Sequence, residues 1–249
     1  MLSINWREID SFSINGLIIS ELPPITKPKM RTNIIKIDGR DGDLIEELGY
    51  ESYTKTIKIG LAKNYDIDEI IKYFTGYGDL ILSNEPDKVY RCSIMDKIDY
   101  EKLLRFKKAS VKFYTQPYKY KRDEEKVVLN IDQETSVSVN NIGLEKSKPI
   151  IKLQGSGTVA ISLNGATVFN YTFPSNENEV IIDSIKEEAY LNNIFKNRHM
   201  SGIFPILEIG ENTISWSGDL SKIEIQPMSR WLWWLKYMNL LKEYLTIMD

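Results

Sequence analysis

The residues able to do chemistry are few and widely spaced in this 249-residue chain. His199 is the only histidine and Cys92 the only cysteine. A Ser–His–Asp triad would have to be built on His199, and neither a His-rich nor a Cys-rich metal site has enough ligands to close. The signatures GxSxG, HExxH and GxxxxGK[ST], each of which places a reactive or phosphate-binding group in a defined turn, do not occur. The expectation is a protein that is not an enzyme, with no cofactor and no metal.

The densest local constellation is IDGRDGDL, Ile37 to Leu44. A calcium loop of the EF-hand type starting at Asp38 would need an oxygen ligand at its third position, where Arg40 stands instead. Asp41 and Asp43 leave only loose cation binding open. Phosphate fares no better, because Asp38, Asp41 and Asp43 repel an anion before the N–H groups near Gly39 and Gly42 can reach it. What survives is an ordered, exposed loop: the two glycines permit positive φ, and Arg40 is expected to pair with a neighbouring carboxylate. Such a loop on a rigid β scaffold is a natural contact surface for a partner.

The elements that must carry this loop read mostly as short strands. Hydrophobic residues make up 42% of the chain, enough to fill a core, and 32 basic against 35 acidic residues give no global case for nucleic-acid or anionic-membrane binding. The opening residues show neither a basic start nor an apolar signal core, so folding in the cytosol is expected. A lone cysteine excludes an internal disulfide, which leaves packing or assembly to supply stability. Strands are expected at residues 12–14, 34–37, 53–61, 79–82, 89–94 and 103–114, with Asn15-Gly16 as a two-residue hairpin turn before Leu17. Pro23, Pro24 and Pro28 make the next stretch an extended arm or edge segment. Asp66 should cap a helix over 67–75 with Ile67, Ile70, Ile71 and Phe74 on one face and Gly76 at its end.

The charged stretch Tyr118 to Lys126 marks an exposed boundary, giving domains 1–125 and 126–230. In the second, residues 159–163, Asn164-Gly165 and 167–173 form the clearest hairpin. Residues 183–192 suit a short acidic helix, and 206–225 supply two or three strands. The fold class is mainly β: two antiparallel β domains followed by an amphipathic helix over 231–249. In that helix Trp231, Trp234, Leu235, Met238, Leu241 and Leu245 share one stripe. Lys236, Lys242 and Glu243 interrupt it, so stable membrane insertion is not expected, and docking on its own domain or a neighbouring protein is.

The order of FSINGLIIS, a proline-bearing linker, IDGRDGDL, IIKYFTGYGDLILSNEPDKVYRCSI and VKFYTQPY resembles the amino-terminal domain of phage distal tail proteins. PIIKLQGSGTVAISLNG, DSIKEEAY, MSGIFPILEIGENTISWSG and KIEIQPMSRW are similar to that family's carboxy-terminal domain. Together these span residues 10–231. The family usually has proline before Gly39, so Asp38 is a departure, and the tail beyond Trp231 is another. The resemblance implies a six-subunit ring at the virion tail tip, assembled in the host cytoplasm. It would join the tail tube protein to the tail-tip hub or tail-associated proteins and their adhesion apparatus. An amino-terminal β-barrel or sandwich domain with one helix would form the ring, and a galectin-like β-sandwich would project outward. The interface residues expected are Asp38 to Asp43, the proline arm, and Trp231, Trp234, Leu235, Met238 and Leu245.

Two other readings stand beside it. Lys102, Arg105, Lys107, Lys108 and Lys112 could face DNA passing through the channel, although solvated strand ends explain them more simply. A carbohydrate-binding module is the alternative function, with Tyr171, Tyr190 and Trp216 stacking on sugar rings if they face outward. The facing of Trp216 depends on a register that the sequence leaves open.

Overall fold

The computed structural model describes residues 1–232 and is mainly β, with antiparallel pairing throughout. It divides into two compact units, Met1–Arg122 and Asp123–Trp231.

The first unit runs β1 (Ile4–Trp6), β2 (Ile9–Asp10), β3 (Leu17–Glu21), β4 (Met30–Ile35), β5 (Leu44–Tyr50), β6 (Tyr53–Leu61), α1 (Ile67–Tyr73), β7 (Tyr77–Leu82), β8 (Glu85–Ser93), α2 (Tyr100–Phe106) and β9 (Lys108–Lys121). The main sheet has the order β2-β1-β7-β8-β9-β6-β3. Alternation along the strands turns Trp6, Ile57, Ile59, Leu80, Leu82, Val111 and Phe113 into one core, and α1 and α2 add Ile70 and Leu103 to it. Each such side chain contributes about 1.5–3 kcal/mol on burial. Trp6 meets the Phe113 ring edge-on at 5.1 Å, and Tyr73 ties α1 to the first hairpin by donating to the carbonyls of Ile4 and Ile9.

Asp66 caps α1 as expected, its carboxylate accepting from the N–H groups of Asp68 and Glu69, and Gly76 follows at φ 82°. The expected strand over 103–114 is corrected to a helix followed by a strand. Asp99 accepts from the Lys102 N–H to start α2, Leu103 is buried, and Lys107 at φ 57° stops it before β9. The unit therefore holds two α-helices, where one was expected. The strand at 12–14 and its hairpin with Leu17 are also corrected. Asp10 accepts from Phe12 N and folds Ser11–Ser13 into a 3-10 turn, after which β3 pairs with β6. The proline stretch has no regular structure; Pro23 and Pro28 are buried and Pro24 is exposed.

The second unit contains β10 (Val127–Asn130), β11 (Ser136–Asn141), β12 (Ile150–Leu163), β13 (Ala166–Thr172), β14 (Glu179–Asp183), β15 (Glu188–Leu191), β16 (Ile194–Phe195), β17 (Met200–Gly202), β18 (Gly210–Gln226) and β19 (Arg230–Trp231). Two long strands organise it. β12 pairs with β14 along its first half and β13 along its second, while β18 pairs with β11 and then β10. Both bend where their mutual register shifts at Gln154/Gly155 and Ser156/Ala160, so each serves two layers around the core of Leu153, Ile161, Phe169, Ile214 and Ile223. Glycine is required at the bend: a Cβ on Gly218, at φ 98°, would lie 2.4 Å from the Thr158 carbonyl oxygen.

The Asn164-Gly165 turn is as expected, with both residues at positive φ between β12 and β13. The two or three strands expected over 206–225 are one strand, β18, because Ser217-Gly218 bends the chain without ending it. The acidic helix at 183–192 is corrected to a hairpin. Asp183 accepts from the N–H groups of Ile185 and Lys186, which imitates a helix cap, but Glu187 at φ 58° returns the chain into β15. Trp231 is corrected too: it is a buried strand residue and does not begin an exposed helical stripe. Trp234, Leu235, Met238 and Leu245 lie outside the described residues.

Candidate functional site

β4 and β5 form a two-stranded sheet of their own, joined to no other strand among the described residues. Their register pairs Ile35 with Leu44 and Ile34 with Ile45, then Asn33 with Glu46 and Thr32 with Glu47. Because successive side chains in a strand point to opposite faces, the Ile35–Leu44 pair lies on one face of the ribbon and the Ile34–Ile45 pair on the other. Ile34 is 56% exposed and Ile45 62%, and Ile37, Leu44 and Leu48 are exposed as well. A two-stranded ribbon with an exposed apolar pair on each face has no core of its own, and an isolated hairpin is marginal in water. Contiguous apolar surface of this kind marks a contact with something else.

At the tip sits the loop Asp38, Gly39, Arg40, Asp41, Gly42 and Asp43, fully in solvent. Gly39 and Gly42 have φ 80° and 78°, and the Arg40 N–H donates to the Ile37 carbonyl at 3.2 Å. The expected ion pair of Arg40 is not among the salt bridges of the described residues, so the turn's shape rests on its backbone. Among the described residues, no three His, Cys, Asp or Glu side chains are placed to hold a metal ion. At the base, Arg31 Nη2 donates to the Leu48 carbonyl, and the Glu51 N–H donates to the Lys29 carbonyl at 2.8 Å. The loop was legible in sequence; the ribbon below it was only half so. Strand β5, LIEELGY, was missed because its acids mask an apolar pairing that becomes evident only when read against β4 across the loop.

A second concentration of charge lies inside the first unit. Glu85 accepts from both Tyr90 Oη and Lys119 Nζ, and both side chains of the ion pair are buried. Lys55, 2% exposed, lies between the rings of Tyr90 and Tyr53 at 4.5 and 5.3 Å, and donates to the Pro24 carbonyl at 3.5 Å. Burial pulls its pKa down to about 8 against the opposing charge of Glu85, with Lys119 lowering it further. Cys92 is buried with Sγ 3.3 Å from Thr115 Oγ1; burial raises its pKa to about 12, which keeps it a thiol.

The other sequence candidates are dispersed. Tyr171 and Trp216 are inside the second core, at 0% and 9% exposure, so two of the three rings suited to stacking on sugar are turned inward. Burial and Glu177 hold the Tyr171 phenol up at about 12. Tyr190 is half-buried on β15 with Lys186 Nζ 5.2 Å from its ring centre. His199 lies in a 3-10 turn beside the Tyr171 ring, its Nε2 accepting from Arg198 Nε. The basic segment divides between α2 and β9: Lys107 donates to Tyr65 Oη and Lys112 pairs with Asp96 at 3.3 Å. Among the described residues, no helix is long and apolar enough to cross a membrane.

No family model matches the chain, and neither does any curated protein. Solved structures do. The Dit protein (gp 19.1) of phage SPP1, described as a paradigm of the hub adsorption apparatus in phages infecting Gram-positive bacteria, aligns with a TM-score of 0.67 at 14% identity, covering 91% of this chain and 98% of Dit. A chain of the phage P2 baseplate, in its activated conformation with calcium, aligns with a TM-score of 0.50 at 9% identity, covering 90% and 97%. Across nearly its whole length, the chain has the fold of a phage Dit hub protein.

Proposed function

We propose that the protein is a structural component of a phage tail tip, a hub subunit that assembles with itself into a six-membered ring between the tail tube and the adhesion apparatus. The observation that carries this is the β4–β5 ribbon, which exposes an apolar pair on each face and, among the described residues, pairs with no other strand. A cyclic assembly supplies a neighbour's surface to each ribbon and leaves none over, which is how closed rings dispose of edges and apolar patches. The fold shared with SPP1 Dit along almost the full length supports the same reading. The loop Asp38 to Asp43 then meets the adjoining subunit or tail protein, and Trp234 and the residues after it are a second contact. The role requires no bond to be made or broken.

Light scattering on the purified full chain, with negative-stain class averages from the same peak, tests it. The expected particle has six times the 28.9 kDa chain mass and sixfold symmetry. Ile45→Lys should leave the fold intact and reduce that particle to single chains. A particle unaffected by Ile45→Lys and Ile34→Lys together would remove the ribbon from the interface.

A further inference from the structure

We propose that the outward face of β7, β8 and β9 is a saccharide-binding site, with Tyr77 as its stacking platform and Asp79, Arg91 and Gln116 as its polar contacts. The inference stands on the first unit alone and does not depend on assembly. In the register, Tyr77 is opposite Ser93 and Asp79 opposite Arg91, while Ser93 is also opposite Tyr114 on β9. Leu80 and Cys92, one residue out of phase, are buried. Period-two alternation therefore puts Tyr77, Asp79, Arg91, Ser93, Tyr114 and Gln116 together on the solvent side. Most of them line a cavity of about 560 Å³, together with Arg7 and Glu8.

Tyr77 is 83% exposed, a large ring held out in water beside a row of side chains that each offer two hydrogen-bonding atoms in a plane. Sugars are recognised by that combination: an aromatic face for the C–H side of the ring, and carboxylate, guanidinium and amide groups for adjacent hydroxyls. Charge argues against an anionic ligand, because Glu8 and Asp79 stand beside Arg91 in the lining. A phosphate or carboxylate ligand would meet two acids. No Leu, Ile, Val or Met side chain lines the cavity. This chain's exposed aliphatics in the same unit are instead concentrated on the β4–β5 ribbon.

The turn beside this face is strained. Arg7 and Glu8 form the two-residue turn between β1 and β2, with φ 53° and 67°, a conformation usually left to Asn-Gly. Arg7 is locked there: its N–H donates to the Asp79 carbonyl at 3.0 Å and its Nη1 to the Thr75 carbonyl at 3.2 Å. Its stem occupies the space beside Gly78, where a Cβ would lie 2.6 Å from Arg7 Cγ, on the side of β7 that also carries Leu80, so the turn fixes the end of the strand while Glu8 stays with the outward row.

Saturation-transfer NMR on the full chain tests this, with glucose, galactose and N-acetylglucosamine oligomers of one to six units at millimolar concentration. At least one series should bind, more tightly with length. Tyr77→Ala should weaken it roughly tenfold while Tyr77→Phe retains it, since stacking needs the ring and not the hydroxyl. Gln116→Ala should weaken it less, and Tyr190→Ala should have no effect. No binding by any series, or binding that survives Tyr77→Ala, overturns the proposal. Failure to bind sugar together with a changed particle mass in Tyr77→Ala would make the face a contact between copies instead. A circular dichroism melt on each variant separates loss of the site from loss of the fold.

Discussion

Lys55→Met should make the protein more stable at neutral pH. The lysine is 2% exposed; two tyrosine faces and a carbonyl at 3.5 Å lie around its ammonium, and Glu85, whose charge offsets part of the cost, is already engaged by Tyr90 and Lys119. The fall from an ordinary lysine value of 10.5 to about 8 corresponds to about 3 kcal/mol of penalty for holding the charge in the folded state. Methionine has a similar length, fills the same slot and carries no charge, so a gain of about 2–3 kcal/mol at pH 7 is expected. Between pH 8 and 10.5 the folded state has released this proton while the unfolded chain still holds it, so the wild type gains stability as pH rises through that window. The advantage of the variant should therefore shrink towards zero by about pH 10.5. Cys92 and Tyr53, Tyr73 and Tyr90 act in the opposite direction, since their raised values make the unfolded chain ionise first. The difference between the two proteins removes that shared loss. Urea unfolding of both at pH 7, 8, 9 and 10, followed by intrinsic fluorescence, measures it. A variant less stable than wild type at pH 7, or a gain that stays constant to pH 10, would refute the account of an undercompensated buried charge.

Asp66→Ala removes the acceptor for two N–H groups of α1 and should cost about 1 kcal/mol in unfolding free energy, seen as a lower urea midpoint. Gly218→Ala places a methyl group against the Thr158 carbonyl oxygen at a left-handed position, and a loss of about 2 kcal/mol or more is expected, read from the thermal midpoint. Native Cys92 should resist a thiol-specific disulfide reagent at pH 8 and react at the rate of a model thiol once unfolded in urea, because burial keeps it protonated.

Local chemistry made some of this fold readable in advance. Asp66 and Asn164-Gly165 act within a few residues of themselves, and both behave as their types dictate. The failures share a cause: the same local signal serves two outcomes, and distant pairing decides between them. Asp99 and Asp183 both accept from N–H groups ahead of them, yet one starts a helix and the other a turn. Leu103 docks in a core on one side, whereas Asp183 and Glu188 face each other across a strand pair on the other. Ser217-Gly218 has turn composition but bends one strand, because β12 shifts register alongside it. The register also turned Trp216 inward and Tyr77 outward, a distinction that side-chain chemistry alone does not contain.

The candidate site repeats that lesson at a larger scale. The acids and glycines of Asp38 to Asp43 stand out as a motif, but the apolar pairs on the two faces of the ribbon below them are what the described residues leave exposed. Ile34 and Ile45 are ordinary strand residues in sequence, and only their pairing on a sheet with no third strand among the described residues makes them anomalous. A loop that was tip alone would tolerate loss of its charges without losing assembly; a ribbon that is the contact would not tolerate loss of its isoleucines. Ile45→Lys set against Asp41→Asn in the same mass measurement therefore divides the two roles, and the apolar pair is expected to govern assembly.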